Sequence, residues 1–549
     1  MPSAPSNFIR YLFGSTPDGK QGASNRLIAR WLFLRALGLI YFSAFFSLLF
    51  QIRGLIGPDG VLPAGEYLEH VRHGLGPLRF WYAPTILWLS AGNHMLIALS
   101  AVGMLASLLL VANIWPRAML LVCFIGFLSF VAGAQDFANY QSDSMLLEAG
   151  FISLFLAPGG LLPGWGADFP APRASILLLL WEWFRIYFES GAVKLLSGDP
   201  TWRNFTAMDE YYQNGPLPTW IGWYIQHLPE SFHKATAVTT LLMELVLVFM
   251  AFLPRRWRIV CFCIVTAWQA GVILTANYTF LNYLVLVLGV LLLDDRLLRR
   301  FLPSRFRRSF PQLPEPTSLQ DEITRDDEQA DEQPRNQGST AVRRHLAALR
   351  LAVTAVMLTW IFYDTSLLLL HMLWRAEPLP GEPIVALEPF RIANQYGLFA
   401  VMTPHRYEIE FQGSNDGATW TAYPFRYKPQ DLSSAPGLYA PYQPRFDWNL
   451  WFASLGAWPE YPIVPRTEEL LLTNDHDVLQ LFAGNPFPGT PPRYLRAVLW
   501  QYWFTSMAEK RATGHWWRRQ LLGTYAPTVQ RNPDGRFVIL QDATLSGPQ

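Results

Sequence analysis

The sequence predicts an α-helical multi-pass membrane bundle of about nine spans, followed by an outer, β-rich, sandwich-like domain with a few helices. Three observations predict it. Apolar runs long enough to cross a bilayer recur through residues 31–300 and again over 349–374. Lys and Arg gather in some of the connections between those runs and not in others. From residue 375 onward the pattern changes to short alternating segments with turn signals between them. Composition agrees. Of 549 residues, 51% are hydrophobic and only 15% are charged, against roughly 25% charged in a soluble protein. A mean hydropathy of +0.15 is modest for a membrane protein and fits a lipid-embedded part averaged with a water-facing one. A net charge of +1 gives no electrostatic footprint for nucleic acid. The three cysteines, Cys123, Cys261 and Cys263, all lie in apolar runs, which excludes a disulfide scaffold and a Cys-based zinc site.

The expected spans are Trp31–Phe50, Met95–Ile114, Met119–Ala134, Met145–Pro158, Ile176–Gly191, Ala235–Pro254, Val260–Ala276, Phe280–Leu293 and Leu349–Leu370. The fourth and eighth are short. Residues 1–30 read as a cytoplasmic tail, 31–300 as the membrane domain with about eight spans, and 349–374 as the last membrane helix. Between them, 301–348 is basic and then acidic, with Gln312–Ser339 reading as a flexible cytoplasmic tether. Arg10, Lys20, Arg26 and Arg30 lead in; Arg255, Arg256 and Arg258 fill one turn; Arg296, Arg299, Arg300, Arg305, Arg307 and Arg308 follow the eighth run. Placing all three clusters in the cytoplasm threads nine spans without conflict. The loops Gln51–Leu89, Gln135–Ser144 and Leu195–Lys234 then share the outer face with everything after Trp374. That face is the lumen in a eukaryote and the periplasm in a bacterium. No internal repeat of the solenoid, propeller or transporter kind is visible, which disfavours a transporter.

In residues 375–549, Arg406–Phe411 alternates, with Tyr407, Ile409 and Phe411 on one face and Arg406, Glu408 and Glu410 on the other, as in a half-buried strand. Ser414-Asn415-Asp416-Gly417 reads as a turn and Thr419–Tyr427 as a returning strand. Arg493–Thr505 reads as a central strand and Arg536–Leu540 as a short one, with short helices at Trp448–Leu455 and Asp477–Ala483. The absence of cysteine here means the core rests on packing, for which its many Trp and Tyr are suited.

Charged groups inside apolar runs carry the chemistry. Glu182, Arg185 and Glu189 are spaced three and four apart, on one face of the fifth run. Such a stripe must face protein or water, either as an ion-pair ladder that fixes packing or as part of a site, with Glu148 as a possible partner. Lys194 falls at the outer end of the same run. It reads either as a lysine snorkelling to the headgroups or as one held against apolar surface and able to act as a base. Asp143 and Asp209, in neighbouring outer segments, could approach it. His227 and His233 are spaced by six, which matches no usual ligand pattern, so no metal and no cofactor is expected. No phosphate-binding Gly loop, GxSxG or HExxH is present. Asn204-Phe205-Thr206 and Asn277-Tyr278-Thr279 match the glycosylation acceptor pattern. The aromatic runs with Trp448, Trp451 and Phe452, and with Trp516 and Trp517, read either as core or as an exposed patch that holds partly folded client proteins.

Many short motifs recur in one order. They begin with Gly54-Leu55-Ile56-Gly57, Asp59-Gly60 and Leu62-Pro63, then Asp143 with Leu146-Leu147-Glu148-Ala149-Gly150. Gly191 to Lys194, Trp202, Met208-Asp209, Phe280-Leu281-Asn282 and Asp294-Asp295 follow. The later ones are Tyr396-Gly397, Asp447-Trp448, Trp451-Phe452, Asn485-Pro486-Phe487, Pro491-Pro492-Arg493 and Trp516-Trp517. On these residues the chain resembles the lipase maturation factors over nearly its whole length. The resemblance implies a multi-pass protein that assists folding and assembly of secreted lipases, in the endoplasmic reticulum membrane for animal members, with the outer domain turned toward clients. A thiol-redox form of that role has no residue to act through in an outer domain without cysteine. The membrane half alone, at Tyr187-Phe188, Gly191, Lys194-Leu195 and Trp202, also looks like the membrane core of vitamin K-dependent γ-carboxylases, in which a lysine at the place of Lys194 is the active-site base. The leading expectation is therefore a non-enzymatic maturation factor with secreted proteins and membrane lipid as partners. The alternative is a membrane enzyme with Lys194 as base and Glu148, Asp143 or Asp209 tuning it, acting on a lipid-soluble cofactor or substrate.

Overall fold

The computed structural model describes residues 4–14, 26–308, 310, 340–374 and 379–545; the tether expected at Gln312–Ser339 lies outside them. The membrane half consists of α1 (Leu27–Leu49), α2 (Asn93–Val111), α3 (Pro116–Gly133), α4 (Gln141–Leu156), α5 (Arg173–Leu196), α6 (Glu230–Leu245), α7 (Arg255–Thr275) and α8 (Leu281–Gly289), and α9 (Thr340–Leu373) joins it. Among the described residues, six helices are long and apolar enough to cross a membrane: α1, α2, α3, α6 with its continuation to Phe252, α7 and α9. The count of nine is not confirmed, and three of the expected runs differ from these six in length or charge. Helix α4 has only 16 residues, and the eighth expected span is the short apolar stretch Leu281–Leu292. Helix α5 has 24 residues, but Glu182, Arg185 and Glu189 make it too polar to face lipid. It is buried along most of its length, at the centre of the other helices.

Small residues let these helices approach closely, as expected where lipid gives no hydrophobic drive between them. A Cβ on Gly103 of α2 would meet the Phe45 ring of α1 at 2.5 Å. A Cβ on Gly150 of α4 would collide with the Tyr41 hydroxyl, which instead donates to the Leu146 carbonyl at 3.1 Å. One end of the bundle collects the basic clusters. There Asp295 accepts from the Leu27 and Ile28 amides at 2.7 and 2.8 Å, satisfying donors in the first turn of α1. Arg30 donates to the Gly166 and Phe169 carbonyls, and Arg255 pairs with Asp294.

The C-terminal module packs on the opposite end. Its six strands are β1 (Arg406–Ser414), β2 (Thr421–Ala422), β3 (Tyr494–Phe504), β4 (Trp517–Thr524), β5 (Thr528–Arg531) and β6 (Phe537–Gln541). They form one sheet ordered β2-β1-β3-β5-β6, with β4 also pairing β3. All pairings are antiparallel, and β1 and β3 run in register from Arg406 opposite Tyr502 to Ser414 opposite Tyr494. The expected sandwich is therefore a single sheet, with helices α10 (Arg445–Ala453) and α11 (Ile463–Leu471) covering one face. Tyr407, Ile409 and Phe411 point into that helical layer, beside Phe446, Leu450, Val464 and Leu471. The return after the Asp416 turn is shorter than Thr419–Tyr427: Thr421–Ala422 pairs with β1, the Tyr423 amide adds one bond to the Phe411 carbonyl, and Gln430 donates to the Tyr423 carbonyl.

The other face of β1 is polar, as the alternation predicts, yet it is not solvated. Arg406, Glu408 and Glu410 are buried. Lys428 bonds Glu408 at 2.9 Å, Arg519 bonds Glu410 at 3.1 Å, and Arg406 pairs with Glu408. Arg406 also donates to the Gln213 and Pro216 carbonyls of the membrane half at 2.9 and 3.1 Å. The loops expected to share the outer face all meet this module: Arg53 pairs with Asp477, Gln51 accepts from the Arg445 amide, and Asn214 donates to the Thr403 carbonyl.

Burial gives the module a pH dependence. Loss of hydration pushes the Asp447 carboxyl up to about 6, against the pull of Lys428 and two backbone amides. Its unfolded value is 3.8, so the native state holds the proton more tightly between the two. The contribution is fully present below about pH 4 and is lost as pH rises through about 6, an effect of about 3 kcal/mol. Glu468, buried on α11, shifts in the same direction. Thermal unfolding of Asp447→Asn between pH 4 and 7.5 is expected to show a shallower decline toward neutral pH than wild type. Parallel curves would remove Asp447 as the source.

Candidate functional site

Helix α5 positions three buried ionisable groups one turn apart, and α4 brings Glu148 and Asp143 alongside. Arg185 pairs with Glu148 and lies 3.8 Å from Glu189. The fourth element is the segment after α9. The Asn394 carbonyl accepts from Arg185 at 2.6 Å. Glu148 accepts from the Tyr396 hydroxyl at 2.8 Å and the Asn394 amide at 3.0 Å, and Glu189 accepts from the Tyr396 amide at 2.6 Å. The Tyr396 ring lies 5.2 Å from the guanidinium carbon. Glu182 is fully buried on the same helix face. The bonds to Arg185, Glu148 and Glu189 offset the cost of burying their charges, whereas neither carboxylate oxygen of Glu182 has a hydrogen-bond partner among the described residues.

A second ion pair lies nearer the C-terminal module. Arg445 of α10 holds Asp143 through two bonds of 2.7 and 2.9 Å and donates to the Phe137 carbonyl at 2.6 Å. Both side chains are at most 1% exposed. Asn277 makes a third stitch, donating to the Gly437 carbonyl at 2.9 Å and accepting from the Tyr439 amide at 2.7 Å. Its side-chain amide is thus engaged and buried in the fold.

Lys194 does not reach a headgroup surface. Its side chain is 1% exposed and pairs with Glu244 of α6 at 2.9 Å. The ammonium also donates to the Ser190 carbonyl at 3.3 Å and the Leu398 carbonyl at 2.9 Å. All three of its donors therefore have acceptors. Lys194 lines a cavity of about 470 Å³ between α5, α6, α7, α8 and the segment Leu398–Met402. The walls are mostly apolar and aromatic. A polar chain crosses one side, in which Asn282 donates to Gln269 at 2.8 Å and Gln269 donates to the Tyr187 hydroxyl at 2.7 Å. Among the described residues no group of three or more His, Cys, Asp or Glu could hold a metal ion.

The predicted residues thus divide. Asp143 and Glu148 are each engaged by an arginine, and Asp209 is not among the groups that bond Lys194; the carboxylate that does is Glu244. Trp448, Trp451 and Trp517 are buried, so they do not present an exposed client surface. Trp517 packs at a tilt against Phe504, ring centres 4.6 Å apart, and Trp448 meets the Tyr140 edge at 5.2 Å. Trp448, Trp451 and Phe452 line a second cavity of about 410 Å³ where the two halves meet. Trp516 is half-buried, with the Lys510 ammonium 3.4 Å from its ring centre. Sequence reasoning missed Glu244 and Arg445, and marked Tyr396 only within the Tyr396-Gly397 motif, without its role at the charged stripe. Glu244 carried a readable signal, as the single acidic residue within the apolar run Ala235–Pro254. Arg445 carried none, because its partner is 302 positions away.

Comparison with known proteins adds to this geometry. Residues 28–300 match the family model described as lipase maturation factor transmembrane domain, and residues 392–527 match lipase maturation factor C-terminal domain. Lipase maturation factor 1 of Bos taurus is 32% identical, over 96% of this chain and 93% of its own length. Lipase maturation factor 2 of Gallus gallus is 32% identical, over 91% of this chain and 81% of its own. Lipase maturation factor 1 of Homo sapiens is 31% identical, over 91% and 88%. No solved structure matches the chain.

Proposed function

Because this chain belongs to the lipase maturation factor family, we propose that it is a membrane-anchored factor that assists the folding and assembly of secreted proteins, lipases among them. The observation that carries the reading is an exposed apolar sheet edge on a module bolted to the membrane part. Leu521 and Leu522 on β4, and Ile539 and Leu540 on β6, are 37–55% exposed. Among the described strands, β6 pairs only with β5 and keeps one open edge, while β4 pairs only with β3 and is open up to Thr524, whose carbonyl accepts from the Thr544 and Leu545 amides. An open edge flanked by apolar side chains accepts an extended, not yet folded chain by strand addition. Fixing that edge beside the bilayer raises its effective concentration near chains emerging across it. The basic clusters at the far end of the bundle favour a module on the outer side, in the lumen of the endoplasmic reticulum or in the periplasm.

The test pairs the full chain with a secreted lipase. Leu521→Lys with Ile539→Lys is expected to weaken crosslinking of the lipase to a photoreactive group at position 522 about thirtyfold, the loss when contacts worth about 2 kcal/mol go. Secreted lipase activity falls with it. Unchanged crosslinking and secretion from a correctly folded variant would reject the edge as the client site.

The cavity beside Lys194 favours one second reading, in which that lysine is a base toward a lipid-soluble substrate. It requires the amine to leave Glu244 and the Leu398 carbonyl. Full function in both Lys194→Ala and Lys194→Arg would end it.

A further inference from the structure

We propose that the cavity at Lys194 binds one uncharged, hydroxyl-bearing long-chain lipid that enters sideways from the bilayer between α6 and α7. This inference is independent of the client reading and involves no chemical step. Three features carry it.

The first is size and lining. A volume of about 470 Å³ falls within the roughly 300–1,000 Å³ of small-molecule sites, and apolar walls with few polar groups are what such a site needs.

The second is the mouth. Ala235 and Thr239 on α6, and Gly271 on α7, line the cavity and are themselves exposed. Both helices turn long apolar surfaces outward, with Leu242, Val246, Val260 and Leu274 each more than 40% exposed. The opening therefore lies among side chains suited to hydrocarbon, and the molecules next to it are lipids. A Cβ placed on Gly271 would meet no atom within 4 Å, so open space lies in front of this helix position.

The third is the polar part of the lining, which sets the head chemistry. Lys194 is neutralised by Glu244 at 2.9 Å, and its remaining donors are taken by carbonyls. No uncompensated cation awaits a phosphate or carboxylate there, and burying a free charge against a satisfied pair is costly. Asn282 does have a demand. Its Nδ2 is used by Gln269, but its buried Oδ1 has no donor. The residue is 5% exposed and lines the cavity. An orphaned buried acceptor is satisfied by a hydroxyl. A mono- or diacylglycerol, with an uncharged hydroxyl head and an acyl tail, has this chemistry.

The test uses the full-length protein in lipid nanodiscs with a diazirine-bearing diacylglycerol as probe. Peptides from 235–244 and 268–282 are expected to carry the label, and unlabelled diacylglycerol competes it away. Gly271→Phe is expected to cut labelling about tenfold by filling the mouth, while Gly271→Ala keeps it. Both replace a helical glycine where there is room, so the melting temperature should not fall. Equal labelling of Gly271→Phe and wild type would overturn the site. So would label spread evenly over the lipid-facing helices without competition. Stronger labelling by a diazirine-bearing phosphatidic acid than by the diacylglycerol would overturn the uncharged head.

Discussion

Arg185→Met is expected to leave little folded protein. The guanidinium is fully buried and is paired with Glu148, lies near Glu189 and donates to the Asn394 carbonyl. Removing one member of a buried pair costs about 3–5 kcal/mol, because the abandoned charge stays behind in a poor solvent. Here one cation serves both Glu148 and Glu189, so the loss belongs toward the top of that range. Against a total stability of about 5–15 kcal/mol, that is enough to unfold a large fraction of molecules. Size-exclusion profiles and thermal unfolding in detergent measure it. Glu148→Gln with Arg185→Met should recover part of the loss, and the coupling between the two positions follows from the double-mutant cycle. A single variant within about 1 kcal/mol of wild type would mean that water or a proton already screens the ladder.

Arg445→Met should cost about 3–5 kcal/mol for the same reason, but with a different signature. It strips Asp143 of two bonds and the Phe137 carbonyl of its donor, across the seam between the membrane half and the C-terminal module. Separation of the module from the bundle should then precede melting of the sheet. Limited proteolysis reads this directly: cleavage in the segments that cross the seam, including 391–405, rises while the β1–β3 core stays resistant. Asp143→Asn should behave alike. Asp143→Leu with Arg445→Met should be much less damaging than either single change, since an apolar pair replaces an ionic one. If the double variant is as unstable as the sum of the singles, the pair contributes through something other than charge satisfaction.

What the sequence disclosed and what it hid divide along one physical line. Periodicity says which residues share a face but not what covers that face. The alternation of Arg406–Phe411 placed Tyr407, Ile409 and Phe411 together, and they do share the helical layer. It could not say that Arg406 and Glu408 on the reverse would be buried, because their cover comes from Lys428 and from carbonyls near residue 215. The stripe of Glu182, Arg185 and Glu189 was legible from its spacing, while Asn394, which helps satisfy it, had no local mark and Tyr396 stood out only within the Tyr396-Gly397 motif. Hydropathy alone treated α4 and α5 like the other apolar runs, whereas six of the described helices are long and apolar enough to cross a membrane.

The segment at Asn394–Leu398 lies more than 200 residues downstream of the helix it satisfies. During synthesis, α5 is made and inserted long before those backbone groups leave the ribosome. Until they arrive, Glu148 and Glu189 lack amide partners and Lys194 lacks one of its carbonyls. The nascent membrane part therefore waits in an incomplete state, one that a chaperone or a membrane protease can recognise. A premature stop anywhere before Asn394 leaves it there permanently, so truncated products should be degraded rather than accumulate as a working membrane stub.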